Sequence, residues 1–318
     1  LNLAEKRALL DEVNRGVISH AYIIEGALGV GKRSFARLLA KAILCTASHK
    51  PCGVCTACRK CDGGVHPDLH VYGADGASFK VDLVREIKRA VNLTPNEGAR
   101  AVYILEGAQA MTVAAQNALL KVFEEPPEGT TFLLVTEKKE ALLPTVRSRG
   151  RIVRLSAADD ETVRAVLKEK FPTAKDKELE EAVRIAAGCV GVGEAVLKKE
   201  GKAERESALK LCTAIYGDSG RYALYNAFLG QMKRRDALIP VMDALAAAAR
   251  DVLVCKLACG EAVLLPSDTA REFAETATAK TLYDIFEAAL ECGRSLRRNT
   301  GPGIAVSQLC VSINRAKG

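Results

Sequence analysis

Ala21-Tyr22-Ile23-Ile24-Glu25-Gly26-Ala27-Leu28-Gly29-Val30-Gly31-Lys32-Arg33-Ser34 is an apolar run that reads as a buried strand, enters a glycine-rich turn and leaves as a helix. Gly26 to Lys32 satisfies GxxxxGK, the pattern of a phosphate-binding loop, in which backbone N–H groups wrap phosphates and the lysine neutralises the outer ones. The residue after the lysine should carry a hydroxyl for Mg²⁺, and Arg33 stands there instead. A guanidinium cannot ligate a metal ion, and Ser34 lies roughly 100° further round the helix. The stretch predicts the fold of a phosphate-loop protein. Gly26, Gly29, Gly31 and Lys32 are the residues that would touch a nucleotide, beside a damaged metal position.

Working outward, a helix is expected at 5–17 ahead of the loop. Strands are expected at 21–25, 68–73, 100–105, 131–136 and 152–155, with helices over 33–45, 81–91 and 112–124 between them. Thr112 serves as a cap, and Pro126-Pro127 as a stop. Alternating strands and helices predict a parallel sheet covered on both faces. From about 156 the pattern becomes helical. Asp159, Asp160 and Glu161 open that stretch, Gly188 to Gly193 breaks it near 190, and the sequence beyond 203 is rich in Ala and Leu. The expected domains are 1–155, 156–203 and 204–318.

The chain has 318 residues, net charge +7 and pI near 8.8, which suits two or three domains and work near nucleic acid. Asp243, Arg250, Asp251 and Lys256 interrupt its longest apolar stretch, so no membrane span is expected. Leu1-Asn2-Leu3-Ala4-Glu5-Lys6 lacks a signal-peptide layout, and the expectation is a cytosolic protein. Eleven cysteines in such a chain point to thiols and metal, and five fall within 45–61. Cys52, Cys55 and Cys58 form overlapping CxxC pairs, with Cys45 upstream and Cys61 downstream. Four thiolates at tetrahedral corners hold Zn²⁺, and a closed set of four leaves no open position, so its role is structural. Taking all four sulfurs from 52–61 would strain one short segment, which favours Cys45 over Cys61.

Asn117-Ala118-Leu119-Leu120-Lys121-Val122-Phe123-Glu124-Glu125-Pro126-Pro127, the 131–136 strand and Arg147-Ser148-Arg149 closely resemble the AAA+ clamp-loader subunits of bacterial DNA polymerase III. The loop, the cysteine cluster and His66-Pro67-Asp68 agree with that family's spacing, and the resemblance covers roughly 18–155. It implies an α/β P-loop AAA+ module with a parallel sheet and a zinc-binding insert at 45–61, then a small helical lid domain and an all-α collar domain that holds a ring together. The implied zinc ligands are Cys45, Cys52, Cys55 and Cys58, with Cys61 as a substitute and His49 a weaker candidate.

The family contains γ/τ subunits that hydrolyse ATP and a type that keeps the fold without a working ATP site. Three differences point to the second. Arg33 replaces the hydroxyl; Glu106-Gly107 stands where the ATPases carry Asp-Glu; and Gly188 to Glu194 lacks the arginine that ATPases bring to the γ-phosphate. ATP or ADP is therefore not an expected cofactor, and zinc is.

The resemblance also implies that Arg149 projects into a neighbour's site as an arginine finger, a fork of donors worth about 10³–10⁵ in rate. Gly150 stands where the family usually has cysteine. The implied partners are γ/τ and δ subunits and, through the complex, primed DNA and the sliding clamp. Two alternatives are an active γ/τ-type ATPase and a free-standing zinc-containing DNA-binding module. An aromatic content of 5% without Trp gives the latter little for base stacking.

Other groups read as structural. His20, His66 and His70 form no nucleophile–base set, and Glu124-Glu125 ends a helix at a subunit or DNA-facing edge. Thr136 is a strand end, while Arg294, Arg297 and Arg298 are surface. Cys189, Cys212, Cys255, Cys259, Cys292 and Cys310 are core residues.

Overall fold

The computed structural model describes residues 3–73, 79, 81–217, 225–228, 235–260 and 262–317; Leu1, Asn2 and parts of the 204–318 stretch lie outside them. The chain forms two compact units, residues 1–163 with 188–192, and residues 164–187 with 193–318.

The first unit runs α1 (Leu3–Asn14), β1 (Ala21–Gly26), α2 (Lys32–Leu44), α3 (Thr56–Asp62), β2 (Leu69–Tyr72), α4 (Val81–Val91), β3 (Ala101–Glu106), α5 (Val113–Glu124), β4 (Thr130–Thr136), α6 (Pro144–Arg147) and β5 (Arg151–Leu155). The expected parallel sheet is present, in the order β2-β3-β4-β1-β5 with every pairing parallel. Side chains alternate between its faces. Tyr22, Ile24, Val102, Ile104, Leu133 and Val135 meet Leu9, Val13, Phe35 and Leu39 of α1 and α2. Ile23, Tyr103, Leu105, Phe132 and Leu134 meet Val84 and Ile87 of α4 and Leu119 and Phe123 of α5. Both faces are dry, which is why these strands read as unbroken apolar runs.

Local signals set several boundaries. The Thr112 hydroxyl accepts the Ala115 amide proton (3.2 Å) and caps α5, and Pro126 follows its end. Helix α1 begins two residues and ends three residues earlier than its periodicity suggests.

Helices α7 (Asp160–Lys170) and α9 (Val190–Leu197) span the boundary between the units. The second unit adds α8 (Asp176–Ala186), α10 (Lys202–Tyr216), α11 (Arg235–Lys256), α12 (Ser267–Glu275), α13 (Ala279–Arg297) and α14 (Pro302–Lys317). Asp159 caps α7 by accepting the Thr162 amide (2.7 Å). The glycine-rich break is shorter than expected. Ala187 and Gly188 turn through left-handed φ of 45° and 80°, and the helix resumes at Val190 with Gly191 and Gly193 inside it. Gly193 is there for close packing, since a Cβ would lie 2.7 Å from Leu167 Cδ1.

The helical unit has its own core, built on Leu211, Ile215, Met242, Leu245, Leu282, Ile285, Leu309 and Ile313. Cys212, Cys292 and Cys310 belong to it, whereas Cys189 and Cys255 are half-buried and Cys259 is exposed, so the core reading fails for Cys259. No helix among the described residues is long and apolar enough to cross a membrane.

Candidate functional site

The carboxyl ends of β1, β3 and β4 bring together the phosphate loop, Glu106 and Thr136, where open α/β sheets form their ligand crevices. Gly29 and Gly31 adopt φ of 78° and 92°, the left-handed conformation that suits glycine, and α2 starts directly at Lys32. The loop is closed on itself. Lys32 is 8% exposed and its Nζ donates to the Gly26 and Ala27 carbonyls, both at 2.7 Å, while burial pushes its pKa below the usual lysine value. The Gly191 amide donates to the Gly29 carbonyl (2.8 Å), and a Cβ on Gly29 would lie 2.8 Å from Val192 Cγ2. The stretch without an arginine thus rests on the loop through backbone and aliphatic contact.

Arg33 has a partner that sequence reasoning missed. Its Nε lies 2.9 Å from Oε2 of Glu106, a charge contact without the alignment of a hydrogen bond, and Arg37 Nη2 donates to Oε1 at 3.3 Å. Glu106 is 1% exposed, so a buried carboxylate is neutralised by two rim guanidiniums of α2. The i, i+4 spacing of Arg33 and Arg37 was the available signal.

Gly107 follows with φ 74°, so the backbone at the expected base position is left-handed as well as bare. Thr136 is buried, and its hydroxyl donates to the Lys138 carbonyl (2.9 Å). Together these residues do not fit a magnesium nucleotide: the lysine is turned inward, the metal position holds an arginine, and the acid beneath it is already paired.

Arg149 lies on the short connection between α6 and β5. Its side chain is 32% exposed; Nη1 donates to the Thr145 carbonyl (2.7 Å) and Nη2 to Oε1 of Glu124 at the end of α5 (2.6 Å). Glu124 therefore ends its helix facing the candidate finger. Gly150 packs on the sheet, and a Cβ there would lie 2.8 Å from both Cδ1 and Cγ1 of Ile23.

The cysteine cluster forms at the opposite end of α2. The sulfurs of Cys45, Cys52, Cys55 and Cys58 all lie within 4.8 Å of one another. The Cys45–Cys55 and Cys52–Cys58 distances are both 3.9 Å. A tetrahedral zinc with sulfurs at ~2.3 Å requires separations of about 3.8 Å. Backbone amides support the sulfurs, with Cys55 N–H on Cys52 Sγ (3.3 Å) and Cys58 N–H on Cys55 Sγ (3.4 Å). The Cys58 amide leads in holding the Cys55 thiol down to about 5, while burial pushes Cys58 up to about 12. These four residues could hold a metal ion such as zinc. Cys61 is outside the group and packs against the α1/α2 core, with its pKa raised to about 11 by burial, and His49 is exposed.

His66 and His70 are packed. His66 Nδ1 accepts the Asp68 amide proton (3.1 Å), and His70 stacks on Tyr103 with ring centroids 4.7 Å apart.

The sequence profile of the family described as DNA polymerase III, delta subunit, matches residues 4–159. The chain is 38% identical to DNA polymerase III subunit delta′ of Bacillus subtilis over 144 residues, 45% of this chain and 44% of that protein. It is 34% identical to DNA polymerase III subunit gamma/tau of Mycobacterium bovis over 240 residues, 74% of this chain and 40% of that one. The chain thus spans less than two thirds of the length of these relatives. A crystal structure of a DNA polymerase III gamma subunit-related protein from Thermotoga maritima shares the fold, with TM-score 0.52 and 16% identity over 97% of this chain and 99% of that one. The matched residues 4–159 hold the sheet, the loop and the cysteine insert, and the family profile and these relatives together support a clamp-loader subunit of the DNA polymerase III δ′ and γ/τ family.

Proposed function

We propose that this chain is the non-hydrolysing, δ′-type subunit of a clamp loader, and that it lends Arg149 to the ATP site of a neighbouring subunit. The observation that carries this reading is the end of β3. Glu106 is engaged by Arg33 and Arg37, and Gly107 offers no base to polarise water. Hydrolysis needs both a metal and an oriented nucleophile, and this edge supplies neither. Arg149 is reachable from solvent, and a guanidinium fork placed at a γ-phosphate stabilises the charge of the transition state.

In this reading γ/τ and δ subunits are the partners, and the sliding clamp and primed DNA are met through the assembly. Residues 156–203 act as a lid, and 204–318 as the collar that holds the ring. Zinc on Cys45, Cys52, Cys55 and Cys58 is structural: when bound it ties the insert to the end of α2, with no open position for a substrate.

The test is DNA-stimulated ATPase of the complex reconstituted with γ/τ and δ subunits. Arg149→Ala should lower turnover by about 10³-fold or more at the site it serves, with the isolated chain inactive. The 240-residue match to gamma/tau favours a second reading, an active ATPase. Turnover by the isolated chain, abolished in Lys32→Ala, would establish that reading; an unimpaired Arg149→Ala complex would remove the finger.

A further inference from the structure

We propose that Arg33 is a built-in cation standing in the metal's place, and that this residue keeps the loop from taking a magnesium nucleotide. Removing it should produce metal-dependent nucleotide binding without hydrolysis. The inference rests on the non-hydrolysing reading above and deepens it.

A buried carboxylate needs a counter-charge within a few ångströms. Glu106 has it from Arg33 at 2.9 Å and Arg37 at 3.3 Å, contacts that approach its two oxygens separately. Both arginines are more than half exposed, at 58% and 59%, so they sit over the buried acid at its solvent rim. A divalent ion entering here would face two guanidiniums and the Lys32 ammonium, against an acid already neutralised. Magnesium also needs oxygen ligands near 2.0–2.1 Å, and arginine presents only donors.

The glycine turn itself is retained: Gly29 and Gly31 keep left-handed φ, and nothing lies within 4 Å of a Cβ built on Gly31. With Arg33 replaced by serine, Oε2 of Glu106 loses its guanidinium and the position after the lysine regains a hydroxyl. Arg37 still holds the other oxygen. Gly107 is unchanged, so a nucleotide bound this way meets no base.

The experiment is equilibrium binding of a fluorescent ADP to the full chain, with and without Mg²⁺, alongside an ATPase assay. For the unchanged chain, Mg²⁺ should alter affinity by no more than about twofold. Arg33→Ser should gain about tenfold or more on Mg²⁺ addition, lose that gain in Arg33→Ser/Glu106→Gln, and show no turnover. A Mg²⁺-stimulated affinity in the unchanged chain overturns the proposal without recourse to any variant. So does a folded Arg33→Ser protein, judged by circular dichroism, that gains nothing from Mg²⁺, or a gain that survives loss of the Glu106 charge. The Arg149 reading is scored on a neighbour's turnover, so either idea can fail while the other stands.

Discussion

Gly150 decides how close the Arg149-bearing turn lies to the sheet. Backbone bonds from the Ser148 amide to Pro144 (2.9 Å) and from the Arg149 amide to Val146 (3.2 Å) wind the chain tightly after α6, and Gly150 then sets it against Ile23. Introducing cysteine there places its Cβ 2.8 Å from two atoms of the fully buried Ile23, closer than packed carbons approach. Gly150→Cys should lower the stability of the sheet unit by about 1–3 kcal/mol, read from its urea midpoint. Gly150→Cys/Ile23→Val should recover part of that loss because the valine removes Cδ1. Gly150 thus lets the turn lie against Ile23, with the Arg149 side chain 32% exposed beside it.

At the scale of elements, the cysteine insert is a small folded piece whose order comes from its own sulfurs and amides. Only Ala57 and Cys58 of α3 are buried, too little apolar area to hold seven residues in helix unaided. A metal ion held by the four cysteines would supply folding energy locally. Cys58→Ser should release zinc, measured as metal per chain, and remove hydrogen-exchange protection over 45–62 while the amides of β1, β3 and β4 keep theirs. Cys61→Ser should retain one zinc per chain, since its sulfur lies outside the cluster. A neighbouring device is independent of metal. The Asp68 carboxylate accepts the Asn96 and Glu97 amides (2.5 and 2.9 Å) and pins the loop before β3; burial alone would raise its pKa, but those donors hold it below the usual value.

For the molecule as a whole, the two units are stabilised in different ways. The sheet unit has a covered parallel sheet; the helical unit depends on packed helices and on one buried acid. Asp251 of α11 is fully buried, and its Oδ2 accepts the amides of Val263, Leu264 and Leu265 at 2.9, 2.6 and 2.9 Å. Arg184 of α8 holds the same loop from its carbonyl side, donating to Val263 and Leu265 at 2.8 and 2.7 Å. Asp251→Ala strands three donors at once and should cost the helical unit about 3 kcal/mol or more, with the sheet unit's transition unmoved. Arg184→Ala combined with it should be non-additive by about 0.5–3 kcal/mol, because both side chains order one loop.

Much of the site is legible in the order of residues alone. A strand, GxxxxGK and a helix in that order admit few backbones, and an apolar run of six residues between loops can only be an inner strand. Three overlapping CxxC cysteines point to a candidate metal cluster because short helical and turn geometry limits where sulfurs can go, while the structure brings Cys45 rather than Cys61 to the fourth place. Glu106-Gly107 is readable as the loss of a base, since an absent side chain is absent in any fold. Tertiary structure decided the rest, through contacts between residues distant in sequence. The pairing of Arg33 with Glu106 joins positions 73 residues apart, and that of Arg149 with Glu124 joins positions 25 apart. Neither follows from propensity or period. The same holds for Gly193, which resembles a helix breaker until Leu167 is placed against it, and for the assignment of 156–203, which the backbone divides between two compact units. Local sequence determines which elements form because their hydrogen bonds and periods are local; which charges meet is set only when the sheet and helices bring their ends together.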